Sequence, residues 1–176
     1  MVQSVIEEVV TVDAQDRETG VAEKMTAHRK GLLHRAFSVF VFDDAGRMLL
    51  QQRASGKYHS GGLWSNTCCS HPRPGESVLD AAHRRLREEM GFDCPLETAF
   101  GFIYRTDLDH GLTEHEYDHV VIGRYAGEPV PNTDEVGGWK WMSLEDVRRT
   151  VAEQPETFTV WFRIALDALV ERRITP

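Results

Sequence analysis

The stretch SHPRPGESVLDAAHRRLREEMGF, Ser70 to Phe92, passes from a turn-rich opening into the most regular helical pattern of the chain. Two prolines and a glycine between His71 and Glu76 keep a helix from starting before Ser77. From there Val78, Ala82, Leu86 and Met90 recur every four residues, an apolar stripe that has to lie against a core. Gly91 is placed to end the helix. The other face carries Asp80, Arg84, Arg85, Arg87, Glu88 and Glu89. Such charges pair along a helix surface at i,i+3 and i,i+4. The same carboxylates also suit magnesium, a hard cation that takes oxygen ligands.

Strand patterns lie on both sides of this helix. Before it, valine-rich Val5–Val12 reads as a strand and polar Asp13–Gly20 as a turn. Val21–His34 reads as a loop plus a short strand. AFSVFVF, Ala36–Phe42, and RMLLQQ, Arg47–Gln52, form a hairpin across the turn Asp43–Gly46. Arg53–Gly62 is then a loop and Leu63–His71 is extended. After the helix come strands at Leu96–Thr106 and Leu112–Tyr125, joined by the turn Asp107–Gly111. An acidic loop, Pro129–Gly138, leads to a short strand, Trp139–Met142. Ser143, with Glu145 and Asp146, opens the helix SLEDVRRTVAE. Pro155–Arg172 reads as a last helix with Phe158, Trp161, Phe162, Ala165 and Leu169 on one side. No linker, repeat or low-complexity tract interrupts the chain, so residues 1–176 are expected to form one α+β domain with an α/β/α arrangement around a mixed sheet.

Composition narrows the function. A chain of 176 residues, 41% hydrophobic and with four tryptophans, suits a packed globular fold. A formal charge of −8 argues against a nucleic-acid partner. It leaves room for a local basic pocket that takes a small anion. No apolar run approaches the ~20 residues of a membrane helix, and MVQSVIEEVV lacks the pattern of a signal peptide. Three cysteines are too few for a disulfide-stapled scaffold, so the cytoplasm is the expected setting.

Four groups of residues carry possible chemistry. In TCCSHP, alternation along an extended segment puts Thr67, Cys69 and His71 on one side and Asn66, Cys68 and Ser70 on the other. One sulfur therefore accompanies the histidine, unless both cysteines are simply small buried side chains. Adjacent cysteines do not suit an unstrained disulfide. Nor does CC followed by H have the spacing of a structural zinc site. In TEHEYDHV, Glu114 and Glu116 share a strand face, pointing either to solvent or, with histidines, to a divalent metal. His115 and His119 point the other way. The third group is the charged helix surface. The fourth is Lys24, Arg53, Lys57 and Arg84 or Arg85, which would hold a diphosphate if they converge.

The order His28, His34, TCCSHP, an altered Nudix box and E-x-E resembles the type I isopentenyl-diphosphate isomerases, over nearly the whole chain. The Nudix pattern is G-x5-E-x7-R-E-U-x-E-E-x-G-U, with U a bulky apolar residue. Here it begins at Ser70 and runs through Glu76, Arg84, Arg85, Leu86, Glu88, Glu89, Gly91 and Phe92. Ser70 replaces its glycine, and Arg85 replaces a glutamate of the region that holds metal in the hydrolases. That second change turns the resemblance away from a Nudix diphosphate hydrolase, the competing reading, and toward the isomerases. Their fold is Nudix-like.

The resemblance implies a reaction and a site. The reaction converts isopentenyl diphosphate to dimethylallyl diphosphate through a carbocation-like intermediate. Cys69 and Glu116 are implied as the catalytic pair, with Tyr104 beside the reacting carbons and Trp161 as an aromatic face over them. His28, His34, His71, Glu114 and Glu116 are implied as ligands of Mn2+ or Zn2+. Glu89 is implied as a ligand of the Mg2+ that accompanies the diphosphate. Lys24, Arg53, Lys57 and Arg85 match the family's basic residues near that diphosphate. No nucleic acid, membrane or obligate protein partner is implied. The chemistry needs such groups: an unactivated alkene must gain one proton and lose another, so two proton-transfer groups should flank it. A transient cation is stabilised by an electron-rich ring.

Overall fold

The computed structural model describes residues 7–174. The chain runs through β1 (Glu8–Val12), β2 (Glu18–Glu23), α1 (Lys24–Lys30), β3 (His34–Phe42) and β4 (Arg47–Arg53). Then come β5 (Trp64–Ser65), β6 (Cys68–Ser70), α2 (Val78–Met90), β7 (Leu96–Asp107) and β8 (Thr113–Arg124). It ends with β9 (Val136–Ser143), α3 (Leu144–Glu153) and α4 (Val160–Glu171).

Among the described residues all nine strands join one mixed sheet. Its centre is β3, which pairs in parallel with β8 over its full length, His34–Phe42 against Glu116–Arg124. Along its other edge β3 changes partners. It meets β1 at His34, β6 from Phe37 to Val39, and β4 at Phe42. The other pairings are antiparallel: β7 with β8, β9 and β5 with β4, and β2 with β1.

Alternation along β3 feeds two cores. Phe37, Val39 and Val41 join Ala81, Ala82, Leu86 and Met90 of α2. Phe40 and Phe42 join Trp161, Phe162, Ala165, Leu166 and Leu169 of α4, with Val147 of α3. The expected α/β/α layering follows from this split. Leu86 and Phe162 are fully buried, and such side chains contribute about 1.5–3 kcal/mol each. No helix among the described residues is long and apolar enough to cross a membrane.

The helix expected in the opening stretch forms as α2. Ser77 caps it by accepting from the Asp80 backbone N–H at 3.1 Å. Gly91 closes it in the left-handed region, φ 73°. A side chain at this position would place its Cβ 2.0 Å from the Val130 carbonyl oxygen. Gly91→Ala therefore combines left-handed strain with a backbone clash and should cost roughly 2–3 kcal/mol. For a chain of this length, that is a fall of roughly 5–10 °C in Tm by calorimetry. A Tm within a degree of wild type would contradict this reading of the turn.

Three expectations need correction. Val21–His34 is not loop plus strand: β2 ends at Glu23 and α1 follows, capped by the Glu23 carboxylate, which accepts from Met25 N at 2.8 Å and Thr26 N at 2.7 Å. The turn expected over Asp13–Gly20 is shorter, because Glu18–Gly20 already belongs to β2. The last helix begins at Val160, after a separate 3-10 turn at Pro155–Thr157. The first strand is found as β1; residues 5 and 6 of that expectation lie outside the described residues.

Candidate active site and metal centre

Strand register places much of the site. The parallel β3–β8 register sets His34 opposite Glu116, and the antiparallel β7–β8 register sets Tyr104 opposite Glu116 on the other side. The β6–β3 register brings Cys69 opposite Ser38. His71 lies just past β6, and α1 supplies His28.

His28, His34, His71 and Glu116 each offer a ligand atom, all within 4.8 Å of one another. His28 Nδ1 donates to Lys24 O at 2.8 Å, and His34 Nδ1 donates to Leu32 O at 2.8 Å. Those bonds keep the proton on Nδ1 and leave Nε2 with a lone pair. His34 Nε2 lies 3.2 Å from His71 Nε2 and 3.5 Å from Glu116 Oε1, and His71 Nε2 lies 3.0 Å from the same oxygen. His28 Nε2 is buried without a hydrogen-bond partner. Converging lone pairs, a carboxylate and an orphaned buried nitrogen fit a divalent cation, with the backbone carbonyls orienting two of the rings. Burial holds His28 below the usual histidine range and His71 at about 4, favouring neutral rings.

Glu114, the fifth expected donor, stands outside that set. Its Oε2 lies 2.9 Å from the Tyr104 hydroxyl, and Glu116 Oε2 lies 2.7 Å from the same hydroxyl. One phenolic hydrogen cannot serve both carboxylates. Burial and the Glu116 charge push the Glu114 carboxyl well up. Burial opposes ionisation of Glu116 as well, and its Oε1 faces the His34 and His71 Nε2 atoms, where a bound cation would lie between them. The Tyr104 hydroxyl thus lies between the two carboxylates, within hydrogen-bond distance of both.

The two cysteines part as alternation requires. Cys68 is fully buried in the core beneath α2. Cys69 packs against the α4 side, and its Sγ accepts from Trp161 Nε1 at 3.2 Å. Burial pushes the Cys69 thiol up to about 12, so its sulfur is protonated. Neither cysteine belongs to the four-residue ligand cluster.

Cys69, Tyr104, Glu114, Glu116 and Trp161 line one cleft, which encloses about 530 Å³ of space open to solvent. The four expected cations, Lys24, Arg53, Lys57 and Arg85, line the same cleft, as does Glu89. Arg53 lies over the Trp161 ring, 5.1 Å from its centroid, and donates to His59 O at 3.2 Å. Arg85 pairs with Glu88 at 2.7 Å and with Glu89. Arg84 instead forms a two-toothed clamp on Glu76, at 2.8 and 2.9 Å, bracing the loop ahead of α2.

Other residues of the site were not expected. Gln51 Nε2 donates to Glu89 Oε2 at 2.9 Å and to Thr67 O at 2.7 Å, fixing the Glu89 carboxylate. His59 is buried, edge-on to Trp161, with Nε2 3.9 Å from Glu114 Oε1. Asp118 accepts from Ser38 Oγ at 2.8 Å, and burial pushes it up to about 8. A signal existed for Asp118, which continues the alternation of Glu114 and Glu116. His59 lay in a glycine-rich loop with no periodicity to place its side chain.

Residues 32–162 match the sequence model of the NUDIX domain, and the chain belongs to that family. Solved structures agree on the fold. The Deinococcus radiodurans protein DR0079 superposes with a TM-score of 0.71 at 17% identity, over 84% of this chain and 90% of its own. A MutT protein from Methanosarcina mazei gives a TM-score of 0.66 at 17% identity, over 81% of this chain and 96% of its own. Sequence relatives go further. The chain is 55% identical to the isopentenyl-diphosphate Delta-isomerase 2 of Aromatoleum aromaticum over 95% of its length and 88% of that protein. It is 52% identical to the isopentenyl-diphosphate Delta-isomerase of Burkholderia multivorans over 92% of both chains. Within the Nudix fold, the chain belongs to the isopentenyl-diphosphate Delta-isomerases.

Proposed function

We propose that the protein interconverts isopentenyl diphosphate and dimethylallyl diphosphate, supplying the isomer needed for isoprenoid assembly. One observation carries the reading: the Cys69 thiol and the Tyr104–Glu116 pair open on the same cleft as Lys24, Arg53, Lys57 and Arg85. A hydrolase has no use for such a thiol.

The basic end of the cleft takes the diphosphate, and the prenyl end lies among Cys69, Tyr104 and Trp161. One of the two groups, Cys69 or Glu116 with Tyr104, gives a proton to the terminal methylene of the alkene. A tertiary cation forms, and the other group removes a proton from the carbon on the far side of it. The double bond then lies one carbon further in. Reversal exchanges the two roles, so both groups are needed in either direction. Trp161 faces the cation with an aromatic ring. An electron-rich ring stabilises a neighbouring cation. The Trp161 indole N–H orients the Cys69 sulfur.

His28, His34, His71 and Glu116, with Glu114 beside them, would hold Mn2+ or Zn2+, and Glu89 would take the Mg2+ that accompanies the diphosphate. When bound, the first ion fixes the Glu116 carboxylate and lowers its proton affinity, and Mg2+ offsets the diphosphate charge. A cytoplasmic setting belongs to this reading, supported by the free thiols of Cys68, Cys69 and Cys94.

With isopentenyl diphosphate as substrate, release of phosphate or pyrophosphate should stay at background while dimethylallyl diphosphate accumulates. Steady phosphate release without the second isomer would instead mark a Nudix hydrolase.

A further inference from the structure

Two cations from different parts of the fold meet on one carboxylate. Lys57, in the loop after β4, pairs with Glu135 Oε2, and Arg85 Nη2 of α2 lies 3.6 Å from the same oxygen. Glu135 sits in the loop ahead of β9, and that loop is tied to both walls of the cleft. Its carbonyl accepts from Ala54 N at 3.0 Å, and the neighbouring Asn132 donates its backbone N–H to Glu89 O at 2.9 Å. The carboxylate is therefore held between the two cations by its own backbone.

Lys57 and Arg85 are the residues read above as diphosphate ligands. An oxygen that collects both lies where a phosphoryl oxygen bridging them would lie. We propose that Glu135 is a specificity-determining residue: a built-in occupant of the diphosphate subsite that the substrate must displace. With no substrate, it lies between Lys57 and Arg85, whose guanidinium also pairs with Glu88 and Glu89. A diphosphate carries enough charge, spread over enough oxygens, to replace it on Lys57 and Arg85 together. A singly bridging or weakly charged anion does not. The cleft thus discriminates among anions by the charge needed to open it. This inference rests on the assignment of Lys57 and Arg85 to the diphosphate.

The test is calorimetric titration of the metal-loaded protein with magnesium pyrophosphate and, separately, with inorganic phosphate. In Glu135→Gln both anions should bind more tightly, and phosphate should gain the more, by roughly tenfold. The KM for isopentenyl diphosphate should fall, and inhibition by phosphate should appear. Glu135→Asp keeps the charge but shortens its reach, and should lie between wild type and Glu135→Gln. A folding defect would not alter the ratio of the two affinities, so that ratio is the deciding readout. If wild type binds pyrophosphate and Glu135→Gln binds neither anion more tightly, the inference is overturned while the diphosphate assignment stands. If wild type itself binds no pyrophosphate, the diphosphate assignment fails and the inference fails with it.

Discussion

Cys69→Ala lowers the isomerisation rate by roughly three orders of magnitude or more, whereas Cys68→Ala leaves it within about twofold of wild type. The two sulfurs are neighbours in sequence, so the contrast tests their geometry. Cys69 lines the cleft and accepts the Trp161 indole N–H; its loss removes a proton-transfer group that nothing nearby replaces. Cys68 is fully buried beneath α2, in the core with Leu86 and Met90. Removing its sulfur leaves a small cavity, costing about 1–2 kcal/mol of stability with little effect on rate. Steady-state kinetics with isopentenyl diphosphate and a thermal melt on each variant separate the two effects. Equal losses of rate in both variants would remove Cys69 from its proposed role.

Glu116→Gln should abolish activity and metal binding together. The Glu116 carboxylate contacts His34 and His71 through Oε1 and Tyr104 through Oε2, so it joins the ligand cluster to the phenol. An amide keeps the shape but loses the charge and puts an N–H group where an acceptor is needed. The metal affinity should fall by at least about 10–100-fold and the rate by about 10³ or more. Glu114→Gln serves as the comparison. Glu114 lies outside the four-donor set, its Oε2 2.9 Å from the Tyr104 hydroxyl, so metal content should fall far less. Metal analysis after dialysis and the initial rate together decide the matter. A Glu116→Gln protein that retained full metal would place the ion elsewhere.

Much of this site was legible because strands translate spacing into direction. The two-residue spacing of Cys69 with His71, and of Glu114 with Glu116, forecast shared faces, and Cys68 fell on the other face. Helix α2 was legible for a similar reason: its stripe repeats every four residues, and Gly91 ends it. Helix α1 was not. It has seven residues, no apolar period, and a glutamate in place of the usual capping residues. Strand β2, ETGVAE, was hidden by its polar residues and glycine. What lay furthest from view was long-range charge pairing. Lys24 meets Glu7 at 2.6 Å, and Lys57 meets Glu135 across 78 positions of sequence. Local pattern carries no information about such partners; only the folded sheet brings them together.

A cleft with these groups should move a double bond and leave the diphosphate intact. Proton and phosphorus NMR of one reaction in deuterated water tests both halves at once. The isopentenyl methylene signals should decline as those of dimethylallyl diphosphate rise, with solvent deuterium entering the product and the diphosphate resonances conserved. Unchanged isopentenyl signals under metal-loaded conditions, or phosphorus signals of free phosphate in place of the second isomer, would rule out isomerisation by this cleft.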